Sequence, residues 1–223
     1  SNFLYQCLDI QTIPTLITNS KSEALVLLRK IHYPIITKTK IGSSSSGVQQ
    51  IRSKRSAIKR VGKIFSYKGL KTQYRYQNQK DYFYIQKFVK NSGFDLRVII
   101  VGNRAFGYYR YPNNGDFRAS GSGIVEKKAL PKDALLLAIE VRNKLGSRQL
   151  GVDMLYSEDD NKYLVIETSL FNQIDTPEQL FIDGKPGYYD ISDPEKIVFV
   201  EGRFWVQELL LSDLISQWAL ERM

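Results

Sequence analysis

The sequence predicts an α+β protein of two lobes, and three features lead there. Apolar residues at helical spacing follow start signals at Ser20, Ser53 and Pro131. Runs rich in β-branched and aromatic residues occupy Tyr82 to Val89, Asp95 to Val101 and Arg104 to Tyr111. At 223 residues, 43% hydrophobic, the chain can bury a sizeable core. Its glycines and prolines are scattered rather than gathered in a linker, so the lobes, residues 1–89 and 90–223, are expected to share one cleft. The body of the smaller lobe runs from about Ile13.

Ser20, with Ser22 beside it, caps a helix whose Leu25, Leu28 and Ile31 face one way, and the helix ends before Pro34. Pro34 to Thr37 reads as a short buried strand, Gly42 to Gly47 as a loop with four serines, and Val48 to Ile51 as a second strand. Ser53 caps the next helix, through Ile64, whose wet side is basic. Tyr67 to Asp81 is polar, basic and poorly periodic. An antiparallel sheet begins at Tyr82, with Gly102-Asn103 as the turn between two of its strands. Pro131 to Leu145 is a packed helix stopped by Gly146. Strands at Leu150 to Tyr156 and Tyr163 to Glu167 follow, and the tail from Val200 to Met223 reads as an amphipathic helix with Trp205 and Trp218 as core anchors.

No stretch reaches the roughly 20 apolar residues of a membrane-spanning helix, and no signal peptide opens the chain, so a soluble, cytoplasmic protein is expected. The single cysteine, Cys7, excludes an intrachain disulfide and reads as a small hydrophobe; the single histidine, His32, cannot complete a zinc site with it. The net charge of +9 attracts anions of any kind, from phosphates to nucleic acid. Much of it lies between Lys38 and Lys90, while the last third holds most of the acids.

Three constellations carry chemistry. Lys38 ends a buried strand four residues before Gly42, and the serine-glycine loop offers phosphates backbone and hydroxyl donors without bulk. The loop lacks a Walker A ending, and a plain exposed turn is the alternative. Asp153 and Glu167 close two otherwise apolar neighbouring strands, where ionised carboxylates need a cation: Mg²⁺ shared with phosphates, or an arginine or lysine each. Asp116, Phe117 and Arg118 precede Ser120, Gly121, Ser122 and Gly123, an anion-binding arrangement or an exposed Asp–Arg pair.

The order of these pieces resembles the ATP-grasp proteins, and within them the ribosomal-protein glutamate ligases and their lysine-biosynthesis relatives. The resemblance runs from Ile13 to Ser169: Pro34 and its strand to Lys38, the small-residue loop, then Gln86, Lys87, Phe88 and Val89, then Asp95, Leu96 and Arg97, then Gly115, Asp116, Phe117 and Arg118, then Gly151, Val152 and Asp153, then Glu167. It implies two α+β lobes with ATP between their antiparallel sheets. It implies that Lys38 holds the ATP phosphates under a flap containing Gly42, Ser43, Ser44 and Gly47, that Gln86, Lys87, Phe88 and Val89 line the adenine slot, and that Asp95 lies near the ribose. Arg118 and Ser120 would reach the phosphates or the acyl group, Arg110 and Arg97 would stand near, and Asp153 and Glu167 would ligate Mg²⁺, or Mn²⁺ in its place.

This chain departs from the family's pattern in carrying Ser169, with Asn172 further on, where the family has a metal-binding asparagine, so that Ser169 or Asn172 would stand in at the second metal position, and in a shortened glycine segment at Gly121 to Gly123. The resemblance also leads one to expect that the family's N-terminal substrate domain is missing from this sequence, as in a shortened chain. The implied reaction phosphorylates a carboxylate and lets an amine displace the phosphate, with small-molecule or peptide substrates and homo-oligomers allowed. No membrane partner is expected, and nucleic acid is not an expected partner. Two further readings are a kinase acting on a polyanionic small molecule and a non-catalytic nucleic-acid binder that uses the aromatic and basic stretch from Tyr67 to Tyr84.

Overall fold

The computed structural model describes residues 2–40, 45–170, 174 and 176–220. They form two compact units, Ile13–Lys90 and Ser1–Thr12 with Asn91–Met223. The first twelve residues therefore join the larger unit, where the sequence expectation had them in the smaller. Packing is the reason: helix α1 (Asn2–Cys7) buries Tyr5 in the larger unit's core, as does Ile10 just beyond it. The Tyr5 hydroxyl shares a 2.7 Å hydrogen bond with Thr168 Oγ1. Cys7 on the same helix is exposed rather than packed.

The smaller unit runs β1 (Thr15–Thr18), α2 (Lys21–Lys30), β2 (Ile35–Lys38), β3 (Val48–Ile51), α3 (Lys54–Ile64), β4 (Leu70–Lys71), β5 (Asn78–Gln79) and β6 (Phe83–Lys87). Both expected caps are made, the Glu23 N–H donating to Ser20 Oγ at 3.3 Å and the Ser56 N–H to Ser53 Oγ at 3.3 Å. Four antiparallel strands in the order β1-β6-β2-β3 form one sheet. Alternation gives it two unlike faces. Ile35, Ile51, Phe83 and Ile85 pack with Ala24 and Leu28 of α2 and with Ala57, Val61 and Ile64 of α3. The other face carries Ile36, Lys38, Tyr84 and Gln86. The β4–β5 ladder pairs Leu70 with Gln79 and Lys71 with Asn78.

The larger unit continues with β7 (Asp95–Val101), β8 (Arg104–Tyr111), β9 (Ile124–Glu126), α4 (Lys132–Leu145), β10 (Gln149–Ser157), β11 (Lys162–Ser169), β12 (Phe181–Ile182), β13 (Lys185–Asp190), β14 (Val198–Glu201) and α5 (Val206–Leu220). Its described strands run β11-β10-β7-β8-β13-β12, with β14 on β13 and β9 on β8, all antiparallel. Leu96, Val98 and Ile100 of β7 and Leu150, Val152 and Met154 of β10 lie in the core with Ala134, Leu135 and Ala138 of α4. Helix α4 ends at Gly146 with φ of 61°, its N–H turned back to the helix's last carbonyls.

The tail differs from its sequence reading. Val198–Glu201 is a strand, because β13 offers it a partner from Gly187 to Asp190. The helix that follows buries Val206 and half-buries Leu209 and Leu210. Trp205 is 41% exposed and Trp218 57%, so neither anchors the core. Leu211, Leu214, Ile215 and Trp218 recur at helical spacing on α5's exposed side. Helical period was legible there, but which stripe the core takes depends on strands far away in sequence.

Candidate active site

One row of the larger sheet collects the charged groups. Strand register sets Asp153 of β10 opposite Arg97 of β7 on one side and Glu167 of β11 on the other. Asp95 of β7 stands opposite Arg110 of β8, one step along the same face. A bulge between Asp153 and Met154 shifts the β10–β11 register, pairing Met154 with Val165. Local sequence gives no signal for that bulge.

The side chains make a buried network. Arg97 donates from Nε to Asp153 Oδ1 at 2.6 Å and from Nη2 to Oδ2 at 2.9 Å. Arg110 Nη2 lies 3.1 Å from the same Oδ1, and its Nε donates to Asp95. Asp153 is 7% and Arg110 9% exposed, so these charges are satisfied by one another rather than by water. Burial opposes the charge on both arginines, but the hydrogen bonds and charges of Asp153 and Asp95 outweigh it and raise their pKa values. Burial holds the Asp95 carboxyl above the usual range even beside Arg110. Sequence reading ranked Arg97 a mere neighbour; its signal was a charged residue alternating with buried Leu96 and Val98.

Glu167 is exposed, and among the described residues no ion-pair partner is seen for it. Ser169 is half-buried opposite Gly151. Asn172 lies outside the described residues. Among those described, no group of three Asp, Glu, His or Cys side chains is arranged to hold a metal by itself. The donor set nevertheless fits a magnesium shared with phosphate, which needs only one or two carboxylates. A carboxylate has about four lone-pair sites. Asp153 accepts hydrogen bonds at 2.6 and 2.9 Å from Arg97 and lies 3.1 Å from Arg110 Nη2, which leaves it room for a cation contact beside the open Glu167.

The loop after β8 holds Arg118 by a fork to Asp116: Nη2 to Oδ2 at 2.7 Å and Nε to Oδ1 at 3.0 Å. The backbone N–H of Arg118 also donates to Oδ1 at 3.0 Å. Those hydrogen bonds, the side-chain ones foremost, hold the Asp116 carboxyl at a pKa of about 2. Ser120 is half-buried two residues on.

In the smaller unit the sheet face turned away from α2 and α3 carries Lys38 and Gln86. Lys38 Nζ sits 5.5 Å from the centroid of the Tyr84 ring, a partner that sequence reading did not find because the two strands are far apart in sequence. Gln86 donates to Thr15 Oγ1 at 3.0 Å and to the Tyr84 hydroxyl at 2.9 Å, which fixes its amide. Lys87 is exposed and its N–H is already given to the Pro14 carbonyl at 3.0 Å. Phe88 is half-buried and Val89 buried. Gly47 lies against Thr39, just beyond β2, where a β-carbon would stand 1.9 Å from Thr39 Oγ1 and force that side chain to shift. Gly42, Ser43 and Ser44 lie outside the described residues.

An antiparallel α+β unit with Lys38 over an aromatic ring, and another with carboxylates and arginines in one sheet row, are the makings of the ATP-grasp fold. The chain belongs to the RimK-like ATP-grasp domain family, which matches residues 3–180. It is similar to the alpha-aminoadipate–LysW ligase LysX of Saccharolobus solfataricus, with 28% identity over 72% of this chain and 56% of that protein. The tetrahydromethanopterin:alpha-L-glutamate ligase of Methanocaldococcus jannaschii is 28% identical over 73% of this chain and 55% of its own length. The chain thus spans about half the length of these curated relatives.

Among solved structures, the ADP complex of the N5-carboxyaminoimidazole ribonucleotide synthetase purK matches with a TM-score of 0.57, 14% identity, and coverage of 80% of this chain and 47% of that one. A Chryseobacterium gregarium RiPP-associated ATP-grasp ligase, solved with ADP and a leader and core peptide, matches with a TM-score of 0.54, 15% identity, and coverage of 77% and 51%. At these identities the structures speak to the fold. Among the described residues no helix is long and apolar enough to cross a membrane.

Proposed function

We propose that this chain is the ATP-binding and catalytic part of a ligase that activates a carboxylate with ATP and joins it to an amine, acting in the cytoplasm on a small-molecule or peptide substrate. The observation that carries this is the sheet row in which Glu167 faces Asp153 while Arg97 and Arg110 fix Asp153 from the other side. Phosphoryl transfer to a carboxylate needs no side-chain nucleophile; it needs charge neutralisation at fixed positions.

Lys38 would supply a positive charge for the phosphates, Gln86, Lys87, Phe88 and Val89, farther along the smaller unit's sheet, would line the base, and Asp95 of the larger unit would serve the sugar. Asp153 and Glu167 would hold Mg²⁺ or Mn²⁺, with Ser169 nearby, and that ion supplies neutralisation of phosphate charge. Arg110 positions Asp153 and Asp95. Arg118 and Ser120 serve the phosphoryl and acyl oxygens, Arg118 turning from Asp116 to do so. A substrate carboxylate oxygen attacks the γ-phosphorus and ADP leaves; an amine then attacks the acyl carbon and phosphate leaves.

The test is isotopic. Full-length protein with Mg-ATP, amines and ¹⁸O-labelled carboxylic acids should yield an amide and release one ¹⁸O into inorganic phosphate. A phosphorylated product with no amide would instead make the protein a kinase.

A further inference from the structure

The smaller unit carries a second charged surface, apart from its Lys38 face. A hollow of about 760 Å³ opens over the end of α3 and the β4–β5 ladder. An adjoining one of about 250 Å³ lies toward Gly47, and Leu70 and Lys71 line both. Arg60, Lys63, Lys68, Lys71, Arg75 and Lys80 line this continuous surface, and among the described residues no aspartate or glutamate does.

Two independent features say what such a surface takes. Arg60 is half-buried, its Nε is shut from solvent, and among the described residues that Nε has no hydrogen-bond acceptor. Its Nη1 reaches only the neutral Gln49 amide, and burial lowers its pKa. A cation so placed lacks an anion. The second feature is aromatic. Tyr67 is 93% and Tyr76 89% exposed, which is unusual for rings of this size. Each has a cation over one face, Lys80 at 5.2 Å from Tyr67 and Arg75 at 5.8 Å from Tyr76.

Local hydrogen bonds order the segment between them. Thr72 Oγ1 donates to the Gln77 carbonyl at 2.6 Å, and Asn78 Nδ2 to the Lys68 carbonyl at 2.7 Å.

We propose that this surface binds a single strand of nucleic acid, its phosphates along the Arg60 to Lys80 cations and its bases stacked on Tyr67 and Tyr76. Regular negative charge interleaved with flat rings is the chemistry of a single strand. An acidic polypeptide would satisfy the lysines but leave both tyrosine rings without a planar partner. Concavity, the lack of carboxylates and the bare rings are tertiary facts, which is why composition alone did not favour this partner.

Fluorescence anisotropy of the full-length protein with labelled 12-mers of oligo-uridine and oligo-thymidine, over a salt series, tests the proposal. Binding should weaken with salt, log affinity falling against log salt by roughly 0.7 per phosphate contacted. The variant Tyr67→Ala/Tyr76→Ala should bind about tenfold or more weakly. Because both rings are exposed it should melt as the parent does and keep its response to Mg-ATP. Lys68→Glu/Lys71→Glu, a second variant at exposed positions, should weaken binding and flatten the salt slope by roughly 0.7 per lost contact. Lys38→Ala should bind the oligomers normally, which separates this surface from the ligase residues. No binding at low salt, full affinity in the tyrosine variant, loss in Lys38→Ala, or equal competition by polyglutamate would each overturn it.

Discussion

At the scale of single residues, the two carboxylates expected to share one role have unlike surroundings. Asp153 is the anion for two buried arginines, whereas Glu167 is exposed opposite it. Asp153→Asn should therefore leave Arg97 and Arg110 with Asp95 alone and cost about 3 kcal/mol or more in urea unfolding. Glu167→Gln should change apo stability by less than about 0.5 kcal/mol, yet abolish most amide formation. Two facing carboxylates repel, but Arg97 and Arg110 have already offset the charge of Asp153, so little repulsion remains for the Glu167 change to relieve. A neutral Asp153→Asn with full activity would remove the basis for the site.

The Asp116–Arg118 fork gives a pH test. The folded carboxyl sits at about 2, against 3.8 unperturbed, so the pair's stabilisation is present above pH 3.8 and is lost as pH falls toward 2. Arg118→Ala removes the side-chain donors, the largest cause, but keeps the backbone ones, so it should raise the Asp116 carboxyl from about 2 toward 3.8, as followed by NMR of its side-chain carbon. A carboxyl still near 2 in that variant would show that the backbone donors, not the guanidinium, set it.

At the scale of elements, the strands that hold the row depend on a close approach. Gly107 of β8 pairs with Val98, and a β-carbon there would stand 2.1 Å from the Arg97 carbonyl oxygen. Gly107→Ala should cost about 1–3 kcal/mol and shift Arg97 from Asp153, seen as a lower urea midpoint and reduced turnover together. A midpoint equal to the parent's would mean that β7 and β8 separate freely. The helices were readable because their signals are local: Ser20, Ser53 and Gly146 cap or stop them where spacing put them. The ladder from β7 to β8 was readable for the same reason, since Gly102-Asn103 joins neighbours. Strands β12 to β14 were not read: β12 and β13 are joined by the local turn Asp183-Gly184, a signal that sequence reading missed, while the place of β13 and β14 in the sheet is set by the pairing of β13 with the distant β8.

At the scale of the molecule, the candidate nucleotide residues are carried by both units, Lys38 and Gln86 by one and Asp95, Asp153 and Glu167 by the other. A ligand that binds only the native state stabilises it, by about 2.7 kcal/mol at a hundred times its Kd. At roughly 2–4 °C per kcal/mol for a chain of this size, saturating Mg-ATP should raise Tm by about 5 °C or more in a thermal scan. Lys38→Ala should lose most of that rise while melting at the parent temperature without nucleotide. No rise in the parent protein would count against nucleotide binding itself.

Sequence by itself determined the α+β class, the principal helices and strands, the family, and the candidate residues Lys38, Asp153 and Glu167, because periodicity, caps and motif order are properties of a chain read in one dimension. Tertiary structure decided what those residues touch. Strand register brought Arg97 and Arg110 onto Asp153, set Glu167 across from it and laid Lys38 over Tyr84, and the fold left Tyr67 and Tyr76 exposed on a surface lined by cations. A charge buried beside another is fixed by the low polarity around it and by which strands pair, and strand pairing joins segments that the sequence holds tens of residues apart.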